Sequence, residues 1–211
     1  MKLTWLGHAC FEIAAEQAVV ITDPYDASVG YPIAMRRADI VTVSHEHFDH
    51  NDTSWVDAGA VYREPGQYER GGVQIHGIPS YHDRLRGQKR GENVIFKLAL
   101  DGLRVCHLGD LGHRIDEALT RTIGLVDVLL IPIGGVYTID GQEALEICRM
   151  IEPRLVVAMH FRTPATQIPI ADERQFLKIS GGEKISGCSI KFDRHSLKGP
   201  TRFVALDYFR P

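Results

Sequence analysis

Ser44-His45-Glu46-His47-Phe48-Asp49-His50, S-H-E-H-F-D-H, follows directly on the apolar run Asp39-Ile40-Val41-Thr42-Val43. Three histidines and an aspartate thus crowd into the turn after a strand. Side chains at i and i+2 do not share a helix face, so the spacing excludes a helical metal motif. It is not H-E-x-x-H either, because the residue four past His45 is Asp49. In a loop leaving a strand end, His45 and His47 can point to one side while Asp49 and His50 turn to the other. Imidazole and carboxylate are the donors a borderline divalent cation such as zinc accepts, and the stretch reads as a metal site.

The 211 residues suffice for one domain, 1–211, with a sizeable core. The 44% hydrophobic and 24% charged content is that of a globular chain. A net charge of −3 argues against a general nucleic-acid or membrane-surface binder. No apolar run approaches the ~20 residues of a membrane span. The opening Met1–His8 is too soon interrupted for a signal peptide. Cys10, Cys106, Cys148 and Cys188 lie far apart with no C-x-x-C pair, which points to buried thiols in a reducing, cytoplasmic setting. Oligomeric state is left open, a homo-oligomer included.

Strands are predicted at 3–6, 10–14, 18–22, 39–43, 60–63, 73–78, 93–100, 103–108, 127–131, 155–159, 189–192 and 202–207. Residues 24–37 read as a loop carrying Arg36 and Arg37, and Asn51 or Asp52 as the cap of a short helix through Trp55. Helical spacing marks 116–123, 140–150 and 172–179, with Pro153 just past the second. A meander followed by β-α-β alternation predicts two sheets packed face to face with helices outside. Four strands run into ligand-type residues: 39–43 into the cluster, 73–78 towards His82-Asp83, 103–108 into Gly109-Asp110, and 155–159 into His160. Loops at one edge of such a framework can converge. Five histidines and two aspartates are enough for two cations.

These residues in this order resemble the metallo-β-lactamase fold superfamily of metal-dependent hydrolases. The likeness runs from Gly7-His8-Ala9-Cys10-Phe11 through Thr22-Asp23-Pro24, the 45–50 cluster, His82, Leu108-Gly109-Asp110 and Pro132-Ile133-Gly134-Gly135 to Met159-His160-Phe161. The branch it most resembles is the one containing ascorbate-6-phosphate lactonase. The resemblance implies an α/β fold of the four-layer αββα sandwich type. It implies one cation on His45, His47 and His82, another on Asp49, His50 and His160, and Asp110 bridging them. Zinc is the expected metal, with manganese or iron as alternatives. The resemblance also places Asp23 beneath the ligand loop and His8 beside the ligands, lining the cavity. Di-iron oxidoreductases that resemble this motif carry glutamate at the position of His47, which favours hydrolysis. His76, His107, His113 and His195 read as structural or surface residues.

Two cations about 3.5–4 Å apart activate a bridging water as hydroxide and polarise an electrophile. Asp49 is then expected to orient the nucleophile and take its proton. Asp83–Glu92 carries Arg84, Arg86, Lys89 and Arg90 between glycines, and reads as a lid over an anionic small-molecule substrate, assisted by Arg162 and by Arg36 or Arg37. An ester, lactone or phosphodiester fits such chemistry. The alternatives are an RNA-directed nuclease of the same fold and a metal-binding protein without turnover.

Overall fold

The computed structural model describes residues 1–211. In chain order the first strands are β1 (Lys2–Gly7), β2 (Cys10–Ala14), β3 (Val19–Thr22), β4 (Arg36–Ala38) and β5 (Ile40–Thr42). They are followed by β6 (Val56–Ala58), β7 (Val61–Tyr62), β8 (Gly66–Arg70), β9 (Val73–Tyr81), β10 (Glu92–Leu100) and β11 (Leu103–His107). Helices then alternate with strands: α1 (Glu117–Ile123), β12 (Val128–Pro132), α2 (Gly141–Ile151), β13 (Leu155–Met159) and α3 (Arg174–Ser180). The last strands are β14 (Glu183–Ile185), β15 (Ser189–Lys191) and β16 (Arg202–Leu206).

One sheet is ordered β15-β1-β2-β3-β5-β7 and the other β14-β16-β13-β12-β11-β10-β9-β8. Period-two alternation in the first sheet decides which side chain faces which layer. Leu3, Trp5, Phe11, Ile13, Val20 and Ile40 join the main core cluster, whereas Leu6, Cys10, Ile21 and Val41 face the other way. The main cluster continues through β9–β13 to Ala144, Leu145, Ile147 and Cys148 of α2. Each such aliphatic side chain, fully buried, is worth roughly 1.5–3 kcal/mol. α2 starts where the sequence places it: the Asp140 carboxylate accepts from the Gln142 and Glu143 N–H groups, and Glu143 reaches back to the Asp140 N–H.

The αββα sandwich expected from the resemblance is present, with an asymmetry. Helices α2 and α3 cover the second sheet, where α2 packs on β12 and α3 on β16. The outer face of the first sheet is instead covered by the 24–35 loop, two 3₁₀ turns (Ala27–Val29 and Thr53–Trp55) and the β4–β6 ribbon, around Tyr25, Tyr31 and Trp55. The short helix expected after Asp52 is one of these 3₁₀ turns, capped by the Asp52 carboxylate. α3 begins at Arg174, not Asp172, because the Asp172 carboxylate engages the Arg174 N–H and guanidinium. β9 runs to Tyr81 through Pro79. Pro79 breaks no ladder bond there, since β8 pairs only as far as Gly77 and the Val94 N–H opposite turns to Ser44 O at 2.8 Å.

No helix is long and apolar enough to cross a membrane.

Candidate metal centre

The ends of β5, β9, β11 and β13 and the β1–β2 turn meet at one edge of the sandwich. His45, His47, Asp49, His50, His82, Asp110 and His160, from four separate strand ends, come together there. Asp110 lies at the centre. Its Oδ2 is 3.1 Å from His160 Nε2 and 3.3 Å from His82 Nε2, and its Oδ1 is 3.3 Å from His50 Nε2. Three groups have ligand atoms within 4.8 Å of one another: His45–His47–His82, His45–His50–Asp110, and His8–Asp49–His50–His160.

The imidazoles are aimed by the residues below them. Asp23 Oδ1 accepts from the Ser44 N–H at 2.8 Å, and its Oδ2 accepts from Ser44 Oγ at 2.6 Å and from His50 Nδ1 at 2.8 Å. The Ser44 hydroxyl, having donated to Asp23, accepts from His45 Nδ1 at 2.9 Å. Both imidazoles thereby turn a bare Nε2 into the cluster. Those two Nε2 atoms and Asp110 Oδ1 are buried with no hydrogen-bond partner. Leaving such atoms unpaired costs free energy that a cation or a water in the cluster would recover. The donor set of imidazole and carboxylate fits divalent cations.

Electrostatics agree with the geometry. Burial opposes ionisation of Asp110, but the His160 and His50 imidazoles outweigh it and hold the carboxyl well below its usual range. His50 is the counterpart: burial works against its charge, yet Asp110 and Asp23 raise it well above 6.5. Burial, with His50 beside it, pushes His45 down to about 3, and burial with His160 pushes His8 down to about 4. His45 and His8 are thereby held in the neutral form that ligates, whereas His50 would give up its proton on binding a cation.

Sequence reading missed several supports. Asn93 is buried in an otherwise apolar strand: its Oδ1 accepts from the Asp110 N–H at 2.9 Å, and its Nδ2 donates to Ser80 Oγ and Leu108 O. A polar residue directly before the run Val94-Ile95-Phe96 was the available signal. Gly109, at φ +56, lies against it, and a Cβ there would stand 2.3 Å from Asn93 Oδ1. His107 is a buried strut that donates to Ala9 O and accepts from the Gly109 N–H.

The backbone of the basic stretch after His82 is pinned by its own first residue. The Asp83 carboxylate accepts from four backbone N–H groups, those of Leu85, Gly87, Lys89 and Arg90, at 2.7–3.0 Å. Arg84, Lys89 and Arg90 line one cleft together with Tyr137 and Thr138. Arg84 pairs with Glu143 at 2.7 Å, Arg86 lines a separate cleft beside Tyr81 and Arg114, and Lys89 is exposed. Arg162 faces Asp172 at 3.4 Å, Arg36 is bound to Glu12 at 2.7 Å beneath Phe209, and Arg37 is solvent-exposed beside Asp57. None of these five arginines is directed at the cluster. Arg90 differs. It lies over the Tyr137 ring at 5.2 Å and borders two clefts, one of about 360 Å³ containing His45 and His47, the other of about 240 Å³ containing Tyr137 and Thr138. Val136, beside Tyr137, is 65% exposed and has φ +62, a left-handed backbone that a β-branched residue adopts only under constraint.

A family model described as a beta-lactamase superfamily domain matches residues 2–160. A UPF0173 metal-dependent hydrolase of Methanoculleus marisnigri is 34% identical over 187 residues, 77% of this chain and 82% of the relative. Another, of Thermococcus onnurineus, is 30% identical over 216 residues, 86% of this chain and 92% of the relative. Among solved structures, one described as a Zn-dependent hydrolase of the metallo-β-lactamase superfamily, from Thermotoga maritima, matches with a TM-score of 0.83 at 33% identity, covering 99% of each chain. A metallo hydrolase from Ignicoccus hospitalis, at 19% identity and TM-score 0.67 over 100% of this chain and 95% of that one, shares the fold.

Proposed function

This chain belongs to the beta-lactamase superfamily, among the UPF0173 metal-dependent hydrolases, and we propose that it is a dinuclear hydrolase of a small anionic ester, lactone or phosphodiester. The observation that carries this reading is the Asp110 carboxylate within 3.3 Å of three imidazole Nε2 atoms, beside the buried His45 Nε2, which has no partner. His45, His47 and His82 would hold one cation and Asp49, His50 and His160 the other, with Asp110 shared. When bound, divalent cations, zinc in the first instance, supply Lewis acidity and lower the pKa of a water towards ~7.

The chain's own residues do the rest. Asp23 and Ser44 fix the tautomers of His50 and His45. His47 is exposed and Asp49 half-buried, in a set otherwise sealed from solvent, so substrate enters on their side. Asp49 takes the proton released by the attacking water. Arg90, stacked on Tyr137 at the mouth, grips the substrate's negative charge. The four free thiols are consistent with a cytoplasmic setting.

The direct test is metal analysis of the purified protein combined with a panel of phosphodiesters, lactones, carboxylic esters and RNA. Two equivalents of divalent metal and turnover of a small ester or phosphodiester are expected. Turnover of RNA alone would make it a nuclease, and a metal-loaded protein inert on the whole panel would defeat the enzymatic reading. A charge-assisted hydrogen bond is worth about 1.5–3 kcal/mol, so Arg90→Ala should raise KM for a carboxylate-bearing ester roughly 10–150-fold. Its kcat should stay within about threefold, and a neutral ester of the same leaving group should be unaffected. Equal losses on both esters would remove Arg90 from substrate binding.

A further inference from the structure

We propose that His8 is itself a metal ligand, joining Asp49, His50 and His160 on the second cation; the inference rests on the two-cation reading above. The sequence places this residue beside the ligands. In the structure its separation from a cluster carboxylate matches theirs. His8 Nε2 lies 3.1 Å from Asp49 Oδ2, as His160 Nε2 lies 3.1 Å and His82 Nε2 3.3 Å from Asp110 Oδ2. All three rings have side chains at most 3% exposed, and each has an unpartnered Nδ1. Donors that share one cation at about 2.0–2.2 Å stand roughly 3 Å apart when adjacent, which is the separation seen here. The His8 ring centroid is 4.1 Å from that of His160 and 5.0 Å from that of His50.

The backbone is built to keep the ring there. His8 adopts φ +52, unusual for a residue with a side chain. Its carbonyl accepts from Trp5 Nε1 at 2.9 Å and from the His160 N–H at 3.0 Å, so the turn is tied to the strand end that carries another ligand. Gly7, at φ +135, lies so close to Tyr31 that a Cβ would stand 2.4 Å from the ring. A buried imidazole that served only to fill space would gain nothing from this constraint.

A strut that merely hydrogen-bonds Asp49 would show the same contact but leave the coordination sphere unchanged, and that difference is measurable. In the cobalt(II)-substituted full chain, each bound imidazole gives one hyperfine-shifted, exchangeable N–H proton resonance. Six are expected, from His8, His45, His47, His50, His82 and His160. His8→Ala should lose one resonance. It should also weaken uptake of the second cobalt by more than about a hundredfold, beyond the 10–100-fold typical of an outer partner, while the first equivalent binds as before. His8→Gln, which keeps a donor towards Asp49 but no imidazole, should behave like His8→Ala. Five resonances in the wild-type chain would overturn the proposal without any variant, as would full recovery of cobalt affinity in His8→Gln. A wild-type chain that takes up no cobalt would overturn the metal reading itself, a separate outcome.

Discussion

Replacing Asp110 with alanine is expected to reduce hydrolysis by at least about 10³-fold, a loss of roughly 4 kcal/mol or more of transition-state stabilisation, and to reduce the metal content with it. The size of the effect follows from position. Asp110 is the one carboxylate that faces imidazoles from three strand ends, His50, His82 and His160. If two cations are held as proposed, removing it takes a negative charge from both sites at once, whereas removing His47 alters one. Folding should survive, because Asp110 lies outside the main apolar cluster, and the bond that seats its backbone, N–H to Asn93 Oδ1, does not involve its side chain. Asp110→Asn keeps the shape and tests charge alone; it should be nearly as inactive as the alanine variant. The measurements are metal content per chain, kcat/KM on the best panel substrate, and a thermal melt. An Asp110→Ala protein that keeps two equivalents of metal would refute the central placement of this residue.

Most of this site was legible because each ligand ends a strand that is apolar enough to be recognised. Ile40–Thr42, Leu103–His107 and Leu155–Met159 are short apolar runs, and the residue types that follow them are costly to bury without a purpose. What stayed hidden has no local pattern. β4, β6 and β14 are three residues each, too short to show a period of two, and β8 reads Gly-Gln-Tyr-Glu-Arg, an edge strand whose polarity disguises it. The pairing of Arg84 with Glu143 spans 59 residues, and nothing near Arg84 announces it. The basic run after His82 therefore showed its charge but not that Asp83 pins its backbone or that Arg84 answers Glu143. His8 gave a weaker signal for a related reason: a lone histidine in a turn has no spacing pattern, and its position beside His160 depends on β13 arriving there.

Acid should unfold the metal-free chain far more readily than its carboxylates alone would cause. An imidazole whose folded-state pKa lies below the unfolded 6.5 takes up its proton later in the fold than in the unfolded chain. Between those two values the unfolded state binds more protons, so stability falls as pH falls. His8, at about 4, and His45, at about 3, both act in this direction, over windows running down from 6.5. Each contributes about 1.4 kcal/mol per pH unit inside its window, so the pair should lower stability by roughly 3–4 kcal/mol between pH 7 and pH 5. His50 has the opposite sign. Its raised folded pKa stabilises the fold below 6.5 and loses that contribution as pH rises through the folded value, so it adds nothing to the acid slope and tilts the alkaline side gently downward. A stability maximum near neutrality follows for the stripped protein, measurable as urea midpoints at pH 5, 6, 7 and 8. Divalent metal at about 1,000 times its dissociation constant should add about 4 kcal/mol at pH 7. That increment should largely persist at pH 5, because His8 and His45, at about 4 and 3 in the fold, still offer neutral Nε2 atoms there. A flat urea midpoint from pH 7 to 5 in the stripped chain would mean that His8 and His45 titrate in the fold as they do in the unfolded chain, so that burial does not hold them neutral.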